Sequence, residues 1–183
     1  SKQMISSTQE IYRLVSSKPD FDLTEVIEGK ERMTPSPYGY HQRIVRKLLI
    51  LMTNYVEKKD LGEIFVSPLD VILEETVNCL QPDLVFLKKE NLFKMQDWIR
   101  GVPDLVVEVV SKGTFNRDAV EKKEIYERYG VPEYWLVIPE IKSVSVFVLT
   151  DTKYKLFSFA EETGKVVSQM LTGLEIEIEK IFY

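Results

Sequence analysis

The chain has one cysteine, Cys79, and one histidine, His41, among its 183 residues. A lone cysteine cannot close an internal disulfide, and nothing around Cys79 arranges it as a nucleophile, so it reads as a small buried hydrophobe in a reducing, cytoplasmic setting. No zinc-spaced Cys/His set, glycine-rich phosphate loop or Ser-His-Asp arrangement is visible. No run approaches the roughly 18 apolar residues that a membrane span needs, and Ser1-Lys2-Gln3-Met4 lacks the apolar stretch of a signal peptide. Positive charge is also scarce: 24 lysines and arginines against 29 acidic residues leave a net charge of −5. That counts against a broad nucleic-acid-binding surface, though not against a local basic groove around an acidic site.

What remains is a globular composition, 44% hydrophobic and 29% charged, which fits one domain over 1–183 without repeats or linkers. Weak helical spacing predicts a short leading helix over 8–18 within an extension at 1–22, and 20–34 predicts a short hairpin or irregular strand turning at Glu28-Gly29-Lys30. Ser36-Pro37 opens a long helix, about 37–58, whose Ile44, Val45, Leu48, Leu49, Met52 and Val56 follow helical periodicity. Strands are expected at 64–66 and 70–73, flanking Ser67-Pro68 as a bent strand or hairpin, then at 83–87 and 105–110, with a loop or short helix over 88–100. Asn116 is the expected N-cap of a helix over 117–129 that Gly130 stops. A strand at 134–138 and a hairpin of 144–149 with 154–159 follow, and 160–183 is expected to be peripheral. The order helix, three strands, helix, strand describes a mixed α/β sheet flanked by helices, with an added C-terminal β-hairpin.

Within that frame Glu108 stands out. It lies in Leu105-Val106-Val107-Glu108-Val109-Val110, a run expected to be buried on both faces, where an ionised carboxylate is costly unless a cation or several donors compensate it. Either Glu108 sits at the strand's exit into a cleft or it binds something positive. Asp83, after Pro82, begins the preceding strand and is either a turn cap or a partner of Glu108. Two carboxylates on neighbouring strands make an oxygen-rich site suited to Mg²⁺ or Mn²⁺. Lys122, among Ala119, Ile125 and Tyr126, is expected to point inward, where its ammonium can orient a water or stabilise charge on a phosphate. Lys123 is expected outward, paired with Glu127 at i,i+4. His41 is either structural or a proton carrier or phosphate contact at the helix N-terminus, and Glu28 either a turn carboxylate or a member of the site. Tyr126, Tyr129, Tyr134 and Trp135 read as core packing.

At these residues the chain resembles the Uma-two family of restriction-endonuclease-like proteins, in the PD-(D/E)xK nuclease superfamily. The likeness runs from about Leu23 to Val148 on ordered landmarks: Val26-Ile27-Glu28-Gly29, Met33-Thr34-Pro35-Ser36-Pro37 with His41 following, Gln81-Pro82-Asp83-Leu84-Val85-Phe86, Gly101 to Ser111, then Asp118, Lys122, Tyr126 and Gly130-Val131-Pro132-Glu133-Tyr134-Trp135. The resemblance implies a restriction-endonuclease-like core with Asp83 and Glu108 as metal ligands. Val110 occupies the place of the superfamily's usual lysine, and Lys122 on the next helix substitutes for it. Glu28 and His41 would complete the site from the N-terminal side. The implied activity is Mg²⁺- or Mn²⁺-dependent cleavage of nucleic acid, DNA in the first instance, by a homodimer without membrane attachment. A non-catalytic nucleic-acid- or protein-binding module on the same fold is the alternative.

Overall fold

The computed structural model describes Gln9 and residues 24–33, 38–111 and 114–183. The expected leading helix lies outside these residues apart from Gln9. Thr24–Ile27 (β1) and Lys30–Met33 (β2) form the expected hairpin, with Glu28 and Gly29 both at positive φ in the turn. The long helix, Gly39–Lys59 (α1), buries Ile44, Val45, Leu48, Met52 and Val56 along one stripe. Lys58 and Lys59 sit in its last turn, where the helix dipole favours cations, and Asp60 ends it in the left-handed conformation.

Four strands follow: Gly62–Val66 (β3), Val71–Glu74 (β4), Asn78–Leu80 (β5) and Leu84–Lys88 (β6). Gly62 has φ +152°, and a Cβ there would lie 2.1 Å from the Leu87 carbonyl oxygen, so only glycine lets β3 approach β6 this closely. The strands flanking Ser67-Pro68 do not pair with each other. β3 joins β6, and β4 joins β5 in a different sheet, in keeping with a proline that has no N–H to give a ladder. β5, which sequence periodicity did not signal, is a three-residue strand holding one polar residue.

Lys89–Lys94 is a 3₁₀ turn, Ile99–Arg100 a short strand (β7), and Leu105–Val109 the expected central strand (β8). Asn116 does not cap the next helix. It starts a π-helical turn, Asn116–Glu121, that runs directly into Lys122–Tyr129 (α2), so continuous helical backbone leaves no N-terminus there to cap. Gly130, at φ +81°, ends α2 as expected. Glu133–Ile138 (β9), Ser143–Thr150 (β10) and Lys153–Glu161 (β11) follow, then Lys165–Val167 (β12), Glu175–Glu177 (β13) and the single turn Glu179–Phe182 (α3).

The main sheet has the order β11-β10-β9-β8-β6-β3, and β8 and β9 are its parallel pair, linked through α2. A second sheet, β2-β1-β5-β4-β7, carries the N-terminal hairpin. Alternation along β8 divides the core. Leu105, Val107 and Val109 join the cluster under α1, whereas Val106 and Val110 join the one under α2. Glu108 therefore faces α2.

The closing segment, expected to be peripheral, delivers Val166, Leu171, Leu174, Ile176, Ile178, Ile181 and Phe182 to the α1 cluster. The Glu-Ile-Glu-Ile-Glu alternation buries its isoleucines and exposes its glutamates. Glu133, buried at the start of β9, fastens this segment. Its Oε1 accepts the backbone N–H groups of Gln169 and Met170, both at 2.9 Å, and its Oε2 accepts Ser168 Oγ at 2.6 Å and Trp135 Nε1 at 2.8 Å.

Candidate active site at the end of the central sheet

Glu108 is 2% exposed and Lys122 3% exposed, so the inward aim expected of the lysine is the one found. Lys122 reaches Glu108 from the following helix, with Nζ 3.2 Å from Oε1 and 3.4 Å from Oε2. The same ammonium lies 2.7 Å from Oε2 of Glu25, a buried carboxylate on β1 that also accepts the Gln81 N–H at 2.7 Å. Tyr126, one turn beyond Lys122, is fully buried and donates its hydroxyl to Glu108 Oε1 at 2.7 Å. Two buried carboxylates thus share one ammonium, which offsets only part of their desolvation. Burial holds the Tyr126 hydroxyl well above its ordinary pKa, and the negative charge of Glu108 adds to the shift, so the phenol remains a donor.

Asp83 immediately precedes Leu84, which pairs with Val107, so Asp83 and Glu108 leave the backbone at facing positions on antiparallel strands. The Asp83 carboxylate turns to the end of β8. Its Oδ2 accepts the Val109 N–H at 2.7 Å, and its Oδ1 lies 3.5 Å from His41 Nε2. His41 Nε2 is also 2.9 Å from the Val109 carbonyl oxygen. Burial alone would lower the His41 pKa. The hydrogen bond and charge of Asp83, with contacts to Gln42 and the Val109 carbonyl, more than offset it and leave the imidazole above its ordinary 6.5. The structure therefore forms two adjoining groups: Glu25, Glu108, Lys122 and Tyr126 on the α2 side, and Asp83 with His41 at the start of α1, joined through the peptide units of Val109. Among the described residues no cluster of three or more His, Cys, Asp or Glu side chains is gathered to hold a metal ion.

Glu28 stands apart from both groups. It is exposed in the β1–β2 turn and pairs with Arg128 on α2. Glu25, which the sequence reading passed over, reaches the buried group instead. The available signal was alternation, because Glu25 and Ile27 share the inward face of β1. The expected Lys123–Glu127 pair is replaced. Lys123 Nζ lies over the Phe147 ring, 4.0 Å from its centroid, and Glu127 accepts the Tyr154 N–H at 2.7 Å and faces Lys153 at 3.5 Å. Asp104 caps the neighbouring turn, accepting the Lys88 N–H at 2.9 Å and both contacts of the Asn91 amide. Cys79 is half-buried, and burial with the nearby Asp70 pushes its thiol up to about 12, far from a reactive thiolate.

A mixed sheet whose central strands bring two carboxylates to facing positions, with a lysine from the crossover helix, has the fold of a restriction-endonuclease-like nuclease. A crystal structure described as a "putative nuclease belonging to DUF820", from Anabaena variabilis, matches with a TM-score of 0.74 at 19% identity, over 92% of this chain and 94% of that one, a likeness of fold. The chain belongs to the Uma2 (Uma-two) family, described as "putative restriction endonuclease", whose family model matches residues 8–179. No curated protein matches it. Family and fold together point to a nuclease of the restriction-endonuclease-like kind, a class that generally uses divalent metal ions. No helix among the described residues is long and apolar enough to cross a membrane.

Proposed function

We propose that the protein is a Mg²⁺- or Mn²⁺-dependent endonuclease that hydrolyses phosphodiester bonds in DNA, with Asp83 and Glu108 as its metal ligands. The observation that carries this reading is the buried group of Glu108, Lys122 and Glu25, a costly arrangement in a strand that could otherwise be filled by valine. The donor set fits the ion class. It consists of hard carboxylate oxygens without thiolate, and Mg²⁺ is ordinarily held by one or two carboxylates, keeping its remaining positions for water and substrate phosphate.

A divalent ion held by Asp83 and Glu108 would supply Lewis-acid activation of the scissile phosphate and offset its negative charge. The chain's own residues do the rest. Asp83 is held at the strand end by the Val109 N–H and by His41, which fixes the direction of its carboxylate. Lys122 presents an ammonium whose N–H groups can orient the attacking water and stabilise developing negative charge. Glu25, 2.7 Å from the same ammonium, holds it in place. Glu28 enters this reading only as the Arg128 partner that braces the hairpin carrying Glu25. Two copies of the chain acting together would place one site on each strand of a duplex.

The test is cleavage of supercoiled and linear DNA by purified protein with Mg²⁺, Mn²⁺ or EDTA. Cleavage that needs the metal, and that falls at least about a hundredfold in Glu108→Ala, Asp83→Ala and Lys122→Met, is expected. DNA left intact by wild type across ions and substrates would sink the reading. It would favour the alternative of a binding module in which Lys122 and Glu108 form a purely structural ion pair.

A further inference from the structure

We infer that Tyr126 is a positioning residue for metal binding, acting through Glu108 by occupying one carboxylate oxygen with its hydroxyl. The inference rests on the reading of Glu108 as a metal ligand and adds to it a group outside the carboxylate–lysine set.

Four observations carry it. The Tyr126 hydroxyl donates to Glu108 Oε1 at 2.7 Å, a shorter contact than either made by Lys122 to the same carboxylate. The side chain is fully buried, so water does not compete for that bond. Tyr126 and Lys122 are four residues apart on one helix, which puts ammonium and phenol on the same face of α2 and lets one rigid element hold the carboxylate at two points. The ring is fixed in turn by Tyr134, whose centroid lies 5.6 Å away. A carboxylate on a strand has two rotatable bonds beyond χ1, and each orientation it samples weakens a metal bond that needs one of them. A buried donor on one oxygen removes that freedom and leaves the other oxygen a preferred direction. Groups that orient a ligand in this way ordinarily change metal affinity or activity about 10- to 100-fold when removed.

Tyr126→Phe keeps the ring and deletes the hydroxyl. The measurement is Mn²⁺ binding by calorimetry to folded wild type, Tyr126→Phe, Glu108→Ala, the double variant, and Ile125→Val as a neighbouring core change. Weaker Mn²⁺ binding by about tenfold or more in Tyr126→Phe, no further loss on adding it to Glu108→Ala, and unchanged affinity in Ile125→Val are expected. Wild-type affinity in Tyr126→Phe, or losses that simply add in the double variant, would overturn the inference while leaving Glu108 as a ligand. Wild type that binds no Mn²⁺ would instead overturn the reading of Glu108 and this inference with it. If Tyr126→Phe does not fold, 3-fluorotyrosine at 126 keeps hydroxyl and shape. Its ¹⁹F resonance should then move on adding Mg²⁺ in wild type and stay fixed in Glu108→Ala, whereas a resonance indifferent to Mg²⁺ in wild type would overturn the inference.

Discussion

His41 faces Asp83 at the mouth of the sheet, and its raised pKa has a pH signature. The folded-state pKa of His41 lies above the ordinary 6.5. Its contribution to stability is therefore fully present below the unfolded pKa and is lost as pH rises through the folded value. In metal-free buffer the urea midpoint of wild type should fall across that window, and His41→Gln should flatten the fall. An identical pH profile in the variant would show that His41 is not coupled to Asp83. Glu108, Asp83 and Lys122 were legible as candidates because a charge in an apolar run, a Pro-Asp strand entry and an apolar helix face are all sequence-visible signals. Glu25 carries only a weak signal: it alternates with Ile27, but Val26 is apolar too and leaves the inward face of β1 ambiguous. The sequence marks Tyr126 as core, and it is fully buried. What spacing cannot convey is that a buried hydroxyl must find an acceptor, and that the acceptor here is Glu108.

One carboxylate, Glu133, gathers several of the hydrogen bonds that hold the closing segment, 165–183. Glu133 accepts four hydrogen bonds from Trp135, Ser168, Gln169 and Met170, so removing it orphans the buried donors of Trp135 and Ser168 and two partly buried backbone N–H groups. Glu133→Ala should cost about 3 kcal/mol or more in urea unfolding and raise amide exchange across 166–178 before other elements. A loss below about 1 kcal/mol would mean that water replaces the carboxylate and that the segment is fastened by its apolar residues alone. At this scale α1, the hairpins and β8 followed from periodicity and turn residues. The segment's burial did not. Its alternation shows that the isoleucines share a face, but which surface they cover depends on contacts distant in sequence. The π-helical start of α2 was also invisible, since Asn116 carries the composition of a cap whether or not a helix end is present.

The net charge of −5 sets how the whole molecule meets a polyanion. Few phosphates can be neutralised by clustered lysine or arginine, so binding to duplex DNA without divalent metal should be weak, with a shallow dependence on salt. Fluorescence anisotropy should give a log–log salt slope of magnitude below about 4, and Ca²⁺ should strengthen binding in wild type but not in Glu108→Ala. A steep slope unaffected by Glu108→Ala would place binding on a basic surface unrelated to the site. The energetic problem of a glutamate in an otherwise apolar central strand is met in the fold by the ammonium of Lys122 and the hydroxyl of Tyr126. The catalytic reading requires that the same carboxylate also hold an ion. The most direct measurement is anomalous diffraction from a crystal saturated with Mn²⁺. An ion in contact with carboxylate oxygens of both Asp83 and Glu108 is the expected result. Saturating Mn²⁺ that leaves those carboxylates bare, or that binds only at surface acids, would contradict a hydrolytic metal centre at Glu108.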